Sequence, residues 1–420
     1  MRCERLTLTG EPDELAAELR RLVPSPDSVR EAVAEIIARV RADGDSAVRE
    51  YTRRFDRTVA TPGPLRVTDS ELDAAAEHLA QPVRSALEHA IANVCRVAGE
   101  APRPERVVDL DGYEVVVREA PVACAGIYVP GGRAPYPSTV VMGVVPARVA
   151  GVERVAVCAP PTPEGALDPA VLVACRLVGA SEVYRMGGAQ AVAALAFGTE
   201  SVEPVDVIAG PGNLYVQEAK RQVFGQVGID GFAGPTDLVV IADAGCDPEP
   251  LALDLLAQAE HGPGTLVVGI STASALLEAL DARLERGPDT GAIACLVNVA
   301  TDEHALALAA AFAPEHLQLV GPQAEALAPR STRAGCVFVG TAAGTAFGDY
   351  IAGSNHILPT AGAARFASAL TPAQFRRSFT EVRIEAAAAG RLARIAAPLA
   401  RAEGFELHAR SMEARIRDNG

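Results

Sequence analysis

The chain has 420 residues, 49 % of them apolar and 22 % charged, with no tryptophan and a net charge of −15. That describes a globular protein long enough for more than one domain, with an aliphatic core. One lysine, Lys220, and scattered arginines with no basic block argue against a nucleic-acid or anionic-membrane partner.

The eight cysteines form no C-x-x-C pair, and several lie in apolar strand-like runs, so buried free thiols are expected. The first residues hold no hydrophobic signal core, and no apolar run is long enough to span a bilayer. A cytoplasmic protein is the simple expectation. Lys220, in Gln217-Glu-Ala-Lys-Arg221, is the only side-chain amine for a Schiff base, and an exposed, salt-bridged helix face is expected instead.

Residues 1–60 read as helix. Ser28 and Glu31 form a capping-box pattern before Val29, Ala32, Ile36, Ile37 and Val40, and Gly44-Asp45 breaks the run. A second helical block covers Asp69 to Glu100. From residue 114 short β-rich runs alternate with helices: strands at Tyr113–Val117, Ala123–Val129, Arg154–Cys158, Glu182–Arg185 and Val205–Ile208. The pattern restarts with strands at Leu238–Ala242, Leu266–Ile270, Ala292–Val297, Leu317–Val320 and Cys336–Val339. Alternation with short linkers implies βαβ units and two α/β domains of similar design. Beyond about residue 370 the chain turns helical, without further strand signals.

Polar groups at the carboxyl ends of strands are the first candidates for a site. Gly131-Gly132, Gly187-Gly188 and Gly210-Pro-Gly-Asn213 each stand between a strand and a helix, where a ligand phosphate can approach backbone amides. None matches G-x-G-x-x-G, and a plain turn explains any one of them; three together favour a nucleotide-like ligand. Gln258 and His261 are three residues apart near a helix end, so an amide oxygen and an imidazole can share one face as two ligands of a divalent metal. Such a pair is more often a solvated face or a capping contact. Glu315-His316 places a carboxylate beside an imidazole, a pair that can divide proton-transfer work. Asp349 in Gly348-Asp-Tyr350 is a candidate metal ligand, His356 a candidate substrate contact, and His408 alone reads as a surface histidine.

Together these segments resemble the histidinol dehydrogenase family. The carriers are Tyr51-Thr-Arg-Arg-Phe-Asp56, Gly126-Ile-Tyr-Val-Pro-Gly-Gly132, Gly187-Gly-Ala-Gln190, Gly210-Pro-Gly-Asn213, Glu218-Ala-Lys-Arg221 and Ala233-Gly-Pro235. They continue with Gln258-Ala-Glu-His-Gly262, Pro314-Glu-His-Leu317, Gly348-Asp-Tyr350, Ser354-Asn-His356, Leu358-Pro-Thr360, Glu403 and His408. So many motifs in one order are highly specific.

The resemblance implies two incomplete, doubly wound Rossmann-like α/β domains with parallel-sheet cores. Small helical N- and C-terminal segments would serve dimerisation. It implies a helical segment at 1–21 and a first domain from 22–126 with 236–368. A second, NAD-binding domain would cover 127–235, and a dimerisation segment 369–420. The implied activity is a two-step oxidation of L-histidinol through L-histidinaldehyde to L-histidine with two NAD and one water, the last step of histidine biosynthesis. The implied zinc ligands are Gln258, His261, Asp349 and His408, with manganese as the other metal to consider, and the implied acid/base pair is Glu315 and His316. Tyr128, Gln190 and Asn213 match NAD contacts. Thr236, Gln258, His261, His316, Asp349, Glu403 and His408 match substrate contacts. The implied assembly is a homodimer in which His408 completes the neighbouring subunit's site. Thr236-Asp237 departs from the commoner Ser-Glu, which leaves another small alcohol, such as sulfopropanediol, open as substrate.

Overall fold

A computed structural model describes residues 2–23, 29–56, 63–101, 105–131, 134–232 and 234–416. The chain divides into two compact units. The first comprises 1–101 and 122–375, the second 102–121 and 376–420.

In chain order the elements begin with β1 (Arg2–Thr7), α1 (Pro12–Arg20), α2 (Arg30–Phe55), α3 (Asp69–His78) and α4 (Gln81–Ala98). Strands β2 (Arg106–Asp109) and β3 (Tyr113–Pro121) follow. Next come β4 (Cys124–Tyr128), α5 (Pro137–Ala150), β5 (Arg154–Ala159), α6 (Pro169–Leu177), β6 (Glu182–Arg185) and α7 (Gly188–Phe197). Then come β7 (Val207–Ala209), α8 (Leu214–Val223) and β8 (Gly228–Ile229). The third run is β9 (Asp237–Ala242), α9 (Pro248–Ala259), β10 (Leu266–Ser271), α10 (Ser274–Leu284), β11 (Ile293–Asn298) and α11 (Asp302–Phe312). It closes with β12 (His316–Val320), α12 (Pro322–Glu325), β13 (Cys336–Val339) and α13 (Ala346–Tyr350). The last elements are β14 (Arg376–Ile384), α14 (Ala386–Ala402) and α15 (Glu406–Glu413).

The first unit is built on two parallel sheets, with strand orders β6-β5-β4-β7-β8 and β1-β11-β10-β9-β12-β13. If β1 is set aside, both sheets run third-second-first-fourth-fifth in their own chain order, so the restart read from the sequence is a repeat of topology. Every residue of β9 and β10 is buried. Strands covered on both faces need continuous apolar runs such as Leu238-Val-Val-Ile241, and that is what the sequence supplies. Helix α7, Gly-Ala-Gln-Ala-Val-Ala-Ala-Leu-Ala-Phe, is apolar all round and buried along most of its length, packed between α2 and α8. Its one polar side chain, Gln190, faces the site described below.

Several expectations are corrected. Arg2–Thr7 is not helical: β1 pairs with β11 in parallel, an edge strand whose partner lies about 290 residues downstream and leaves no local trace. Leu79, in extended backbone, and Pro82 divide the block at 69–100 into α3 and α4. The break at Gly44 is a kink within α2, where φ is 51° and ψ −131°. Ser28, read as the α2 cap, lies outside the described residues.

The second unit is an antiparallel sheet of order β14-β3-β2 with α14 packed on α15. A strand beyond residue 370 was not expected. β14 pairs with β3 from Arg376 opposite Pro121 to Ile384 opposite Tyr113. Val107, Val108, Val382, Ile384, Ile395, Leu399 and Leu407 of this unit are all exposed. Among the described residues, no helix is long and apolar enough to cross a membrane.

Candidate active site

A cleft of about 1260 Å³ in the first unit is lined from both parallel sheets. Tyr128, Gln190 and Asn213 line it on one side; Thr236, Gln258, His261, Glu315, His316 and Asp349 line it on the other. The two sides use opposite sheet edges. Tyr128 ends β4, and the Gly188 and Gly210 loops follow β6 and β7, so the five-stranded sheet presents its carboxyl edge. Thr236 and Glu315 immediately precede β9 and β12, and His316 is the first residue of β12. The six-stranded sheet thus presents its amino edge, which corrects the expectation that all site groups stand at carboxyl ends.

The Glu315–His316 pair is deeply buried, Glu315 at 7 % and His316 at 3 % exposure. The Glu315 carboxylate accepts hydrogen bonds from Thr236 Oγ1 and, at 3.2 Å, from the Asp237 amide. Burial, reinforced by the neighbouring Asp237 charge, holds its proton affinity well above the usual carboxylate range. Burial acts on His316 in the opposite sense and pushes it down to about 4, so the ring is neutral at physiological pH. His316 Nδ1 has no hydrogen-bond partner and lies 3.9 Å from Glu315 Oε2; Nε2 lies 3.8 Å from Asp349 Oδ1. A neutral imidazole with an unengaged nitrogen, beside a carboxyl that binds protons tightly, is equipped to accept protons from an alcohol and from water.

Helix α9 ends at Ala259, so His261 stands just past the helix, where its amide reaches the Gln258 carbonyl at 3.3 Å. Gln258 is buried and donates from Nε2 to Thr236 Oγ1 at 2.5 Å, while His261 is exposed to the cleft. The carbonyl end of a helix attracts cations. Asp349, on α13, is pushed up to about 7 by burial, a penalty that a bound cation would remove. Amide oxygen, imidazole and carboxylate suit zinc or manganese. Among the described residues, no group of three or more His, Cys, Asp and Glu side chains is arranged to hold a metal. The donors in the cleft therefore fit part of a metal site. His356 has both ring nitrogens engaged, Nδ1 with the Asp349 carbonyl and Nε2 with Thr139 Oγ1, each at 3.0 Å. It supports the Asp349 turn and also lines the cleft.

Across the cleft, Tyr128, Gln190 and Asn213 are uncharged. Gln190 is 1 % exposed, and neither its Nε2 nor its Oε1 has a partner. The Gly188 amide donates to the Tyr128 hydroxyl at 3.0 Å. Gly210 has φ 127°, and a Cβ there would stand 2.1 Å from the Tyr128 carbonyl oxygen, so only glycine fits. Asn213 caps α8, its Oδ1 accepting from the Tyr215 and Val216 amides at 3.0 and 3.2 Å. Lys220, expected on an exposed face, is 1 % exposed; it is ion-paired with Asp230 and donates to the Gly210 carbonyl at 3.1 Å. Asp230 also accepts the Gly210 amide at 2.8 Å, so this buried pair clamps both backbone groups of Gly210.

The profile of the histidinol dehydrogenase family matches residues 19–416. A histidinol dehydrogenase of Ruegeria pomeroyi is 46 % identical over 405 residues, 93 % of each chain. One from Cereibacter sphaeroides is 46 % identical over 407 residues, again 93 % of each. The crystal structure of histidinol dehydrogenase from Elizabethkingia anophelis superposes with a TM-score of 0.89 at 30 % identity, covering 99 % of this chain and 98 % of that one. The chain belongs to the histidinol dehydrogenase family. It is therefore an oxidoreductase.

Of the residues that the family resemblance singles out, the cleft gathers all but two. Glu403 and His408 lie in the second unit, both exposed, His408 on α15 with its ring 5.2 Å from that of Phe405. Two groups that shape the cleft are not read as site residues from the sequence. Lys220 lies in the Glu218-Ala-Lys-Arg221 motif, but Gln-Glu-Ala-Lys-Arg looks like a solvated face, and nothing local shows that Asp230 clamps it. Arg20, which reaches Asp237 from 217 residues away, carries no local signal.

Proposed function

We propose that the chain oxidises L-histidinol through L-histidinaldehyde to L-histidine, the last step of histidine biosynthesis, with NAD as hydride acceptor and zinc as a resident ion. The observation that carries this reading is the buried Glu315–His316 pair set between a partial cation site and a glycine-lined pocket.

Gln258, His261 and Asp349 would hold the zinc, with His408 of a second copy completing the set; when bound, the ion orients the substrate's amine and imidazole. NAD would lie along Tyr128, Gln190 and Asn213, with Gln190 offering an unpaired donor and acceptor. Thr236 and Glu403 complete the substrate set. In the first oxidation His316, neutral and unpaired at Nδ1, takes the hydroxyl proton as hydride leaves the carbon. Hydration of the aldehyde then needs a base for water, and Glu315, with its raised proton affinity, takes that proton. His316 returns its proton to the aldehyde oxygen as water adds, which gives the hydrate and restores the neutral ring, and then takes a hydroxyl proton of the hydrate as the second hydride leaves. Positioning of this kind contributes on the order of several kcal/mol per step.

The homodimer follows from the same reading. The apolar side chains exposed on the second unit, from Val107 to Leu407, offer surface that a second copy can cover. Steady-state turnover of L-histidinol with NAD and zinc tests the activity, and absence of NADH production would sink it. Mixing Asp349→Ala with His408→Ala subunits, each inactive alone, tests the sharing. Recovered activity requires one site built from both chains, and none would refute it.

A further inference from the structure

The Glu315 turn is held from behind by a residue of the N-terminal helix. Arg20, the last residue of α1, places Nη1 2.5 Å from Asp237 Oδ2. Its Nη2 donates to the Phe312 carbonyl at 2.7 Å and the Ala313 carbonyl at 3.3 Å. The guanidinium carbon lies 3.6 Å over the Phe312 ring. All these groups lead into Glu315. Ala313 ends α11 in the left-handed region at φ 49°, a conformation that costs a non-glycine residue energy and persists only where neighbours hold it. Asp237 in turn accepts the Glu315 amide at 2.7 Å and returns its own amide to Glu315 Oε2 at 3.2 Å.

Two carboxyl groups buried this closely repel unless one is neutralised. Arg20 is the partner that Asp237 has for that purpose. Its charge falls on Asp237, and the hydrogen bonds of Asp237 fall on Glu315. An arginine that only docked α1 on α11 would not need to reach this turn.

We propose that Arg20 is a positioning residue for Glu315: through Asp237 and the last carbonyls of α11 it fixes the carboxylate that serves the aldehyde step. This rests on the reading of Glu315 given above.

The test measures Arg20→Met, Arg20→Lys, Glu315→Gln and the Arg20→Met/Glu315→Gln double variant in zinc-loaded protein. Single-turnover release of the first NADH from L-histidinol reports the alcohol step, and steady-state oxidation of added L-histidinaldehyde reports the second. Arg20→Met is expected to lower kcat on the aldehyde about tenfold or more. KM should stay within about threefold and the alcohol step should change little. Arg20→Lys should recover part of the loss, and the double variant should be no slower than Glu315→Gln alone. Equal losses on both steps that follow a fall in Tm would overturn the inference, as would an additive double variant. Normal aldehyde oxidation by Glu315→Gln would overturn the Glu315 role itself and this inference with it. Impairment by Glu315→Gln with an unimpaired Arg20→Met would overturn only the part assigned to Arg20.

Discussion

With β1 set aside, the two parallel sheets of the first unit have the same strand order and turn opposite edges to the cleft. At the carboxyl edge of the five-stranded sheet, glycine loops lead into helix N-termini, Tyr128, Gln190 and Asn213 are uncharged, and Lys220 is ion-paired with Asp230. That edge suits a phosphate-bearing ligand. In the six-stranded sheet the corresponding crevice, beyond β9 and β12, is already filled. The Asp243 carboxylate there accepts the Gln323 and Ala324 amides at 2.8 and 3.0 Å. A carboxylate of the chain thus occupies the place where an anion would bind. Thr236, Glu315 and His316 stand instead at the amino edge, where helix C-termini offer carbonyls and favour a cation. One topology therefore turns two different edges to the cleft: one copy leaves its anion crevice open, and the other closes it with Asp243.

The largest test of that division is at the amino edge. His316→Ala should impair both oxidations, on the order of 10²–10⁴-fold in kcat. Glu315→Gln should slow mainly the second, read with added histidinaldehyde. Equal loss on both steps in Glu315→Gln would erase the division of roles.

Burial of the same pair gives a pH signature. His316 titrates at about 4 in the folded protein against 6.5 when unfolded. Between those values the unfolded chain binds the extra proton, so the contribution of His316 is intact above pH 6.5 and is lost as pH falls toward 4. Metal-free wild type should lose stability relative to His316→Gln over that window, by up to about 3 kcal/mol. Parallel Tm curves would show that the ring is not buried as neutral.

At the carboxyl edge of the five-stranded sheet, Gln190→Ala should raise KM for NAD about tenfold with a smaller effect on kcat, the loss of an amide that has no partner among the described residues. At the closed crevice, Asp243→Ala should cost about 1–2 kcal/mol, as loss of a helix cap does, and leave KM for NAD unchanged. A change in NAD affinity there would mean that the second crevice is not sealed.

The sequence discloses whatever is periodic or contiguous. Continuous apolar runs such as Leu238-Val-Val-Ile241 announce buried parallel strands, and the glycine loops and Pro-Glu-His mark the cleft. It hides what depends on distant partners. Arg2–Thr7 is a strand only because β11 offers an edge, and Arg376–Ile384 only because β3 does. Lys220 lies within a polar run, yet Asp230 and the Gly210 carbonyl draw it inside. The choice of sheet edge is equally hidden, because it depends on Asp243 filling a crevice that local pattern leaves open.

The central claim is that one cleft carries out both oxidations in succession. The most direct measurement is the stoichiometry of NADH formed per L-histidinol consumed at limiting substrate with excess NAD in zinc-loaded protein. Two NADH per histidinol, with histidine as the product, is the expected result. One NADH per histidinol with free aldehyde accumulating, or no NADH at all, would contradict the account.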